Sequence, residues 1–209
     1  MKKALNSVIL TIRIILGAIF FPQLYQAFQR ENPEITLLIT ECGSLHAEKL
    51  LARGELDLAM ATLPASPSPE FSYLRLARTQ LMLCVSPAHR LANAPSVDIS
   101  MLRDEPLVLF GTDTAPSRAV LSLFAERQLR PNVLLYSSQL SMIQQFISDG
   151  TAAAFLLDAL ARREPGLVAV PFSTPVYFDT VLLWKRGQYL YNDVERFLRF
   201  AKDFHFQDI

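Results

Sequence analysis

The pattern that most constrains this chain is an order of elements that occurs twice. In the first half, Val8-Ile9-Leu10-Thr11-Ile12 is short and β-branched, the mark of a strand buried on both faces. Phe20, Leu24 and Phe28 then recur every four residues, with Phe21 and Tyr25 beside them, which predicts a helix stopped by Pro33. Ile35 to Thr40 alternates as a strand does. Ser44 is placed to cap a helix running to Arg53, with Gly54 just past its end, and Asp57 to Ala61 reads as a further short strand. The second half repeats the series. It has a strand at Leu107 to Phe110, a polar loop from Gly111 to Ala115, and a helix from Pro116 to Gln128 with Val120, Leu121 and Phe124 inward. A strand at Val133 to Tyr136 follows, then a helix capped by Ser138 with Met142, Ile143, Phe146 and Ile147 on one face, then Gly150 and a strand at Ala152 to Leu156. Helices alternating with buried strands specify an α/β fold with largely parallel sheets, and two such series in one chain predict twin lobes.

The segments outside the two series are shorter. Pro64 to Pro69 is a loop on composition, two strands are predicted near Tyr73 to Arg75 and Gln80 to Ser86, and Pro87 to Asp98 is irregular. A strand at Val181 to Lys185 and a helix from Asn192 to Phe204 are too few for a domain of their own and should pack back on one lobe. The chain has 209 residues with 51% hydrophobic residues, enough for two cores.

Charge and cysteine content narrow the function. The 20 Lys+Arg balance the 20 Asp+Glu. A module that grips nucleic acid by itself carries a basic excess, because each phosphate contact needs a cation, so the balance argues against one. It equally excludes an acidic tail or a polybasic membrane patch. The two cysteines, Cys42 and Cys84, sit in apolar runs and form no disulfide framework, which fits a reducing cytoplasm. At the start, Met1-Lys2-Lys3 and the apolar run Val8 to Phe21 superficially resemble a secretory signal. Arg13 interrupts the run, no small-x-small cleavage site follows before Pro22, and the run is shorter than the ~20 residues that span a bilayer.

Catalytic patterns are missing from the sequence. It holds neither a glycine-rich phosphate loop nor a Gly-x-Ser-x-Gly elbow, and His46, His89 and His205 have no ligand-spaced partner, so no metal or cofactor is expected. Recognition has a better basis. In open α/β sheets, ligands bind outside the carboxyl ends of the strands, where loops and helix N-termini meet. In the first lobe that rim comprises Thr11 to Ile14, Gly43-Ser44 and Thr62; in the second, Gly111 to Arg118, with Thr112, Thr114 and Ser117, and Ser137-Ser138-Gln139. Helix N-termini and Ser/Thr hydroxyls there favour an anionic group. Ser44 and Ser138 would cap helices in either case. Arg13 is either an anion partner or a solvated strand-end residue, and Arg118 either a ligand contact or a solvated one.

Several segments taken in order carry a resemblance. Phe21-Pro22-Gln23-Leu24-Tyr25-Gln26-Ala27-Phe28, Asn32-Pro33-Glu34-Ile35, Glu41-Cys42-Gly43-Ser44, Arg53-Gly54-Glu55-Leu56-Asp57-Leu58-Ala59 and Val85-Ser86-Pro87-Ala88-His89-Arg90-Leu91-Ala92 resemble the effector-binding domain of LysR-type transcriptional regulators, as do the Gly150 segment and Trp184-Lys185-Arg186. The resemblance spans about residues 7 to 204. It implies a periplasmic-binding-protein-like fold of type II, with two α/β lobes joined by two crossover strands. Lobe I would take residues 1–82 and 175–209, and lobe II residues 83–174.

What the resemblance implies for function is a cytoplasmic sensor without enzymatic activity. A small-molecule effector would bind in the interlobe cleft, touched by Arg13-Ile14 and by Ser44. Helices near Phe21–Arg30 and Leu140–Ser148 would serve a homodimer or tetramer, and DNA would be bound only through a helix-turn-helix domain absent from this chain. The loop after the first strand departs from the family pattern, since Arg13-Ile14-Ile15-Leu16 is apolar where small Ser/Thr residues are usual. Two rivals share the architecture. A periplasmic solute-binding protein of a transport system would need export, which the interrupted start argues against, and an enzyme would need a catalytic constellation.

Overall fold

The computed structural model describes residues 7–12, 19–42, 44–63 and 68–206. The chain divides into two compact units, Met1–Arg78 with Asp179–Ile209, and Thr79–Phe178.

Five of the six residues of β1 (Ser7–Ile12) are buried, so the strand is used on both faces and along both edges. It pairs in parallel with β2 (Thr36–Glu41), from Ser7 opposite Thr36 to Ile12 opposite Glu41, and in parallel with β3 (Leu58–Leu63), Leu10 opposite Leu58. Antiparallel to β3 lies β9 (Tyr177–Lys185), with Ala59 opposite Leu183. Helices cover both faces. On one face Ile9, Ala59, Ala61, Val181 and Leu183 pack with Ala47 and Leu51 of α2 (Ser44–Ala52). On the other lie α1 (Phe21–Glu31) and α6 (Asn192–Asp203), joined by Phe28, whose ring meets those of Phe197 at 4.9 Å and Phe200 at 5.3 Å. Burying each such aromatic contributes on the order of 2–3 kcal/mol. Phe20, Leu24 and Phe28 form the fully buried stripe that their spacing predicts.

The second unit repeats this plan. β5 (Pro106–Phe110) is parallel to β6 (Asn132–Ser137) on one edge and to β7 (Ala153–Leu157) on the other. An antiparallel strand again follows: β4 (Phe71–Val85) pairs β7, with Leu81 opposite Leu157, and β8 (Val168–Pro171) pairs β4. Helices α3 (Ala115–Glu126) and α4 (Leu140–Ser148) connect β5 to β6 and β6 to β7, and the single turn α5 (Asp158–Ala161) follows β7.

The two helices that precede the third strand of each series end identically. Gly54 and Gly150 both have φ of 70°; Gly54 N–H donates to Leu51 at 3.0 Å and Glu55 N–H to Leu50 at 2.9 Å, while Gly150 donates to Ile147 and Thr151 to Phe146, each at 3.0 Å. This pair of bonds is the Schellman ending, which glycine takes without a Cβ clash.

Three local expectations are corrected. Residues 71–85 form one strand, not two, because no Gly, Pro or Asn interrupts the alternation between Arg75 and Gln80; the chain passes from one unit to the other inside that strand, at 78/79, and again inside β9 at 178/179. Met142 is 41% exposed, since the buried stripe of α4 narrows to Ile143 and Ile147. The residue before α4 is Gln139, so Ser138 does not stand at the capping position.

Replacing Gly150 by Ala tests the repeated ending. The added Cβ would meet Ser86 Oγ at an ordinary 3.5 Å, so the cost is backbone strain at positive φ, about 1–2 kcal/mol read by urea denaturation, with a similar loss for Gly54→Ala.

Candidate functional site

The parallel registers bring loops from distant parts of the sequence to one edge of each sheet. In the second unit Phe110 lies opposite Ser137, so the loops that leave β5 and β6 start side by side. Thr114 caps α3, its Oγ1 accepting the Ser117 N–H at 3.2 Å, and Ser117 Oγ donates to the Phe110 carbonyl at 2.7 Å, tying the helix start to the strand end. Both residues are buried. A Cβ at Gly111 would stand 2.8 Å from Asp113 Oδ1, the movable end of an exposed side chain. Arg118 donates to the Asp113 carbonyl at 2.8 Å, which engages it within its own loop. On the neighbouring loop, Ser137 Oγ accepts the Gln139 N–H at 3.0 Å, a turn bond just ahead of α4, whose N-cap residue Gln139 makes no side-chain cap.

Thr112 and Ser138 are exposed on these adjoining loops. Of the second-unit residues singled out from sequence, Thr114 and Ser117 therefore build the frame and Thr112 and Ser138 stand at its surface.

In the first unit, the carboxyl ends of β1 and β2 meet at Ile12 and Glu41. Arg13, Ile14 and Gly43 lie outside the described residues, and Ser44 opens α2 next to them in the chain. Thr11 Oγ1 donates to the Thr40 carbonyl at 3.1 Å and lies 3.1 Å from Cys42 Sγ. Thr62, half-buried, pairs in register with Thr180, whose buried Oγ1 has no hydrogen-bond partner among the described residues.

Two segments of the resemblance prove to be braces. Asp57 Oδ2 accepts the Ile9 N–H at 2.8 Å, while the Asp57 N–H donates to the Ile9 carbonyl at 3.0 Å, so the Gly-Glu-Leu-Asp-Leu-Ala run ties β3 to β1 where parallel pairing begins. His89 Nδ1 accepts the Leu91 N–H at 3.2 Å, which leaves Nε2 to donate to Glu105 Oε1 at 2.6 Å. Arg90 donates to Glu105 Oε2 at 2.6 Å and to the Met101 carbonyl at 2.7 Å. Sequence reasoning overlooked Glu105, fifteen residues from Arg90 and without a motif around it. Elsewhere, burial pushes the Cys84 thiol up to about 12, as suits a small core residue. Among the described residues no group of three His, Cys, Asp or Glu could hold a metal, and no helix is long and apolar enough to cross a membrane.

Two α/β units, each a parallel strand triad in the order second, first, third and then an antiparallel strand, are the plan of the periplasmic-binding-protein-like fold of type II. Residues 8–205 match the LysR substrate binding domain, and the chain belongs to that family. The HTH-type transcriptional regulator YwbI of Bacillus subtilis (strain 168), itself uncharacterised, is 27% identical over 193 residues, covering 91% of this chain and 64% of that protein. This chain thus spans less than two thirds of that relative's length. Among solved structures, the regulatory domain of Synechocystis PCC6803 CcmR in complex with 2-PG superposes with a TM-score of 0.84 at 19% identity, covering 94% of this chain and 95% of that one. The effector-binding domain of QuiR in complex with shikimate gives a TM-score of 0.78 at 20% identity, covering 95% and 96%.

The Glu105 brace makes stability pH-dependent. Burial works to raise the carboxyl, but the hydrogen bonds from His89 and Arg90, with the Arg90 charge beside it, outweigh it and hold Glu105 below the usual glutamate range. A depressed folded pKa contributes stability that is fully present above the unfolded value of about 4.3 and is lost as pH falls through the folded one. In denaturation curves, wild type should exceed Glu105→Gln most at neutral pH, and the gap should close as pH drops below about 4.

Proposed function

We propose that this chain is the ligand-sensing and dimerisation domain of a LysR-type DNA-binding transcriptional regulator, with a small anionic effector as its ligand. The observation that carries the reading is the rim of the second unit in a chain of this family. Two loops leave neighbouring parallel strands in register, Thr114 and Ser117 hold the helix start, and Thr112 and Ser138 are left exposed beside it. Helix starts and hydroxyls at the carboxyl ends of parallel strands suit a carboxylate or phosphate. The counterpart residues in the first unit are Arg13, Ile14, Gly43, Ser44 and Thr62. Two structural neighbours were solved with 2-PG and with shikimate, the latter a carboxylate, which supports the ligand class.

In this reading the domain transmits a difference in effector affinity between two of its own arrangements, and catalysis has no part. DNA contact falls to a helix-turn-helix segment of the parent regulator, in line with the HTH-type designation of the relatives. The setting is the cytoplasm. Effector binding to the folded chain must raise its melting temperature. A thermal-shift panel of small carboxylates and phosphates, shikimate and 2-PG included, should contain at least one stabilising compound whose effect falls several-fold in Thr112→Ala and Ser138→Ala. A panel with no stabilising compound sinks the sensor assignment.

Self-association is the second part of the proposal. Tyr25 on α1 and Ile39 on β2 are 36% and 39% exposed, while Leu134 and Tyr136 on β6 are each 48% exposed and Met142 on α4 is 41%. Exposed apolar side chains on a helix and an edge strand mark, in each unit by itself, a surface that a second copy can cover. Sedimentation should show a dimer or tetramer for wild type, and monomer for the doubly substituted Tyr136→Asp, Met142→Glu chain with its fold intact by circular dichroism.

A further inference from the structure

We propose that a groove in the first unit, away from both strand-end rims in sequence, is a second small-molecule site that takes an amphipathic monocarboxylate. The groove is open to solvent, offers about 380 Å³ and is lined by Leu74, Trp184, Glu195, Leu198, Arg199 and Lys202. That volume falls in the range of about 300–1,000 Å³ typical of ligand pockets.

Its floor is apolar and its rim is cationic. Leu74 comes from β4, Trp184 from β9 and Leu198 from α6. Val181 and Leu183 face the α2 side of the sheet, so strand alternation turns Trp184 to the α6 side, where it and Leu198 remain only half-buried. A large aromatic left partly uncovered beside a cavity offers area to an apolar ligand body. Arg199 and Lys202 stand three residues apart on one face of α6 and are exposed. Neither forms an ion pair among the described residues, whereas the nearby Arg196 is held by Glu34 at 2.6 Å. Glu195, four residues before Arg199, also lines the groove. Two cations against one carboxylate leave a single positive charge over an apolar floor, which matches one carboxylate carrying an aryl or alkyl body. This inference stands whether or not the effector reading holds, since it uses none of the same residues.

The chain's single tryptophan makes the test direct, because Trp184 emission reports on this groove alone. The full 209-residue chain is titrated with 4-phenylbutyrate, with its neutral amide and with 4-phenylbutylamine. The expected result is a saturable change with the carboxylate, about tenfold weaker response to the amide, and none to the amine, as a charge-assisted contact requires. Arg199→Ala with Lys202→Ala should weaken the carboxylate about tenfold at an unchanged melting temperature, and Glu195→Gln should tighten it. Thr112→Ala and Ser138→Ala should leave the titration as it is. No saturable response, equal binding of carboxylate and amide, an undiminished response in the double variant, or a response lost in Thr112→Ala would each overturn the proposal. Binding of an acidic amphipathic peptide without binding of 4-phenylbutyrate would also overturn it and assign the groove to a protein partner.

Discussion

Each sheet depends on an antiparallel strand that the chain delivers while passing between its two units. The triad β2-β1-β3 leaves the outer edge of β3 with unpaired backbone groups, and the triad β6-β5-β7 leaves β7 in the same state. Buried, such an edge would carry unsatisfied amides and carbonyls at a cost of about 1–3 kcal/mol each. β9 closes the first through Ala59 to Leu63, and β4 closes the second through Leu81 to Cys84. The second unit completes its sheet within the single stretch Thr79–Phe178, whereas the first needs β9, which the chain supplies only after that stretch. Residues 179–209 belong with residues 1–78 for this reason.

The same parallel registers generate the rims. Because β5 and β6 run together from Pro106 opposite Asn132 to Phe110 opposite Ser137, their following loops emerge at one place, although 27 residues separate them. The buried Thr114 and Ser117 hydroxyls then fix the start of α3 against the strand end. In the proposed reading, surface hydroxyls beside a helix start held this firmly would need little ordering to meet an anion. The Asp57 clamp on Ile9 acts comparably in the first unit, fixing the point from which β1 and β3 run side by side.

Helix α6 has two separate duties. Its Val194, Phe197 and Ala201 are buried, and the Phe197 and Phe200 rings meet Phe28 of α1. Its outer cations are left over from that packing. Arg196 is used in a surface ion pair, an interaction worth little by itself. Among the described residues Arg199 and Lys202 form no ion pair, and both border the groove over Trp184, so the helix that closes the core also carries the charge on which the proposed second site would depend.

The repeated elements, the parallel sheets and the family were legible in the sequence. Helical and strand periodicities, Pro33, Gly54 and Gly150 act locally, through backbone sterics and the burial of one face, and each series of residues carries them independently. The rim residues Thr112, Thr114, Ser117 and Ser138 were legible as candidates for the same reason, being loop and helix-start residues. Their division into frame and surface was not, because it turns on which hydroxyl meets a carbonyl or amide brought by the fold. The partner of His89 and Arg90, the clamp from Asp57 to a backbone 48 residues away, and the strand that completes each sheet were likewise decided only in three dimensions. These are pairings between distant segments, and nothing in the local sequence fixes the register at which such segments meet.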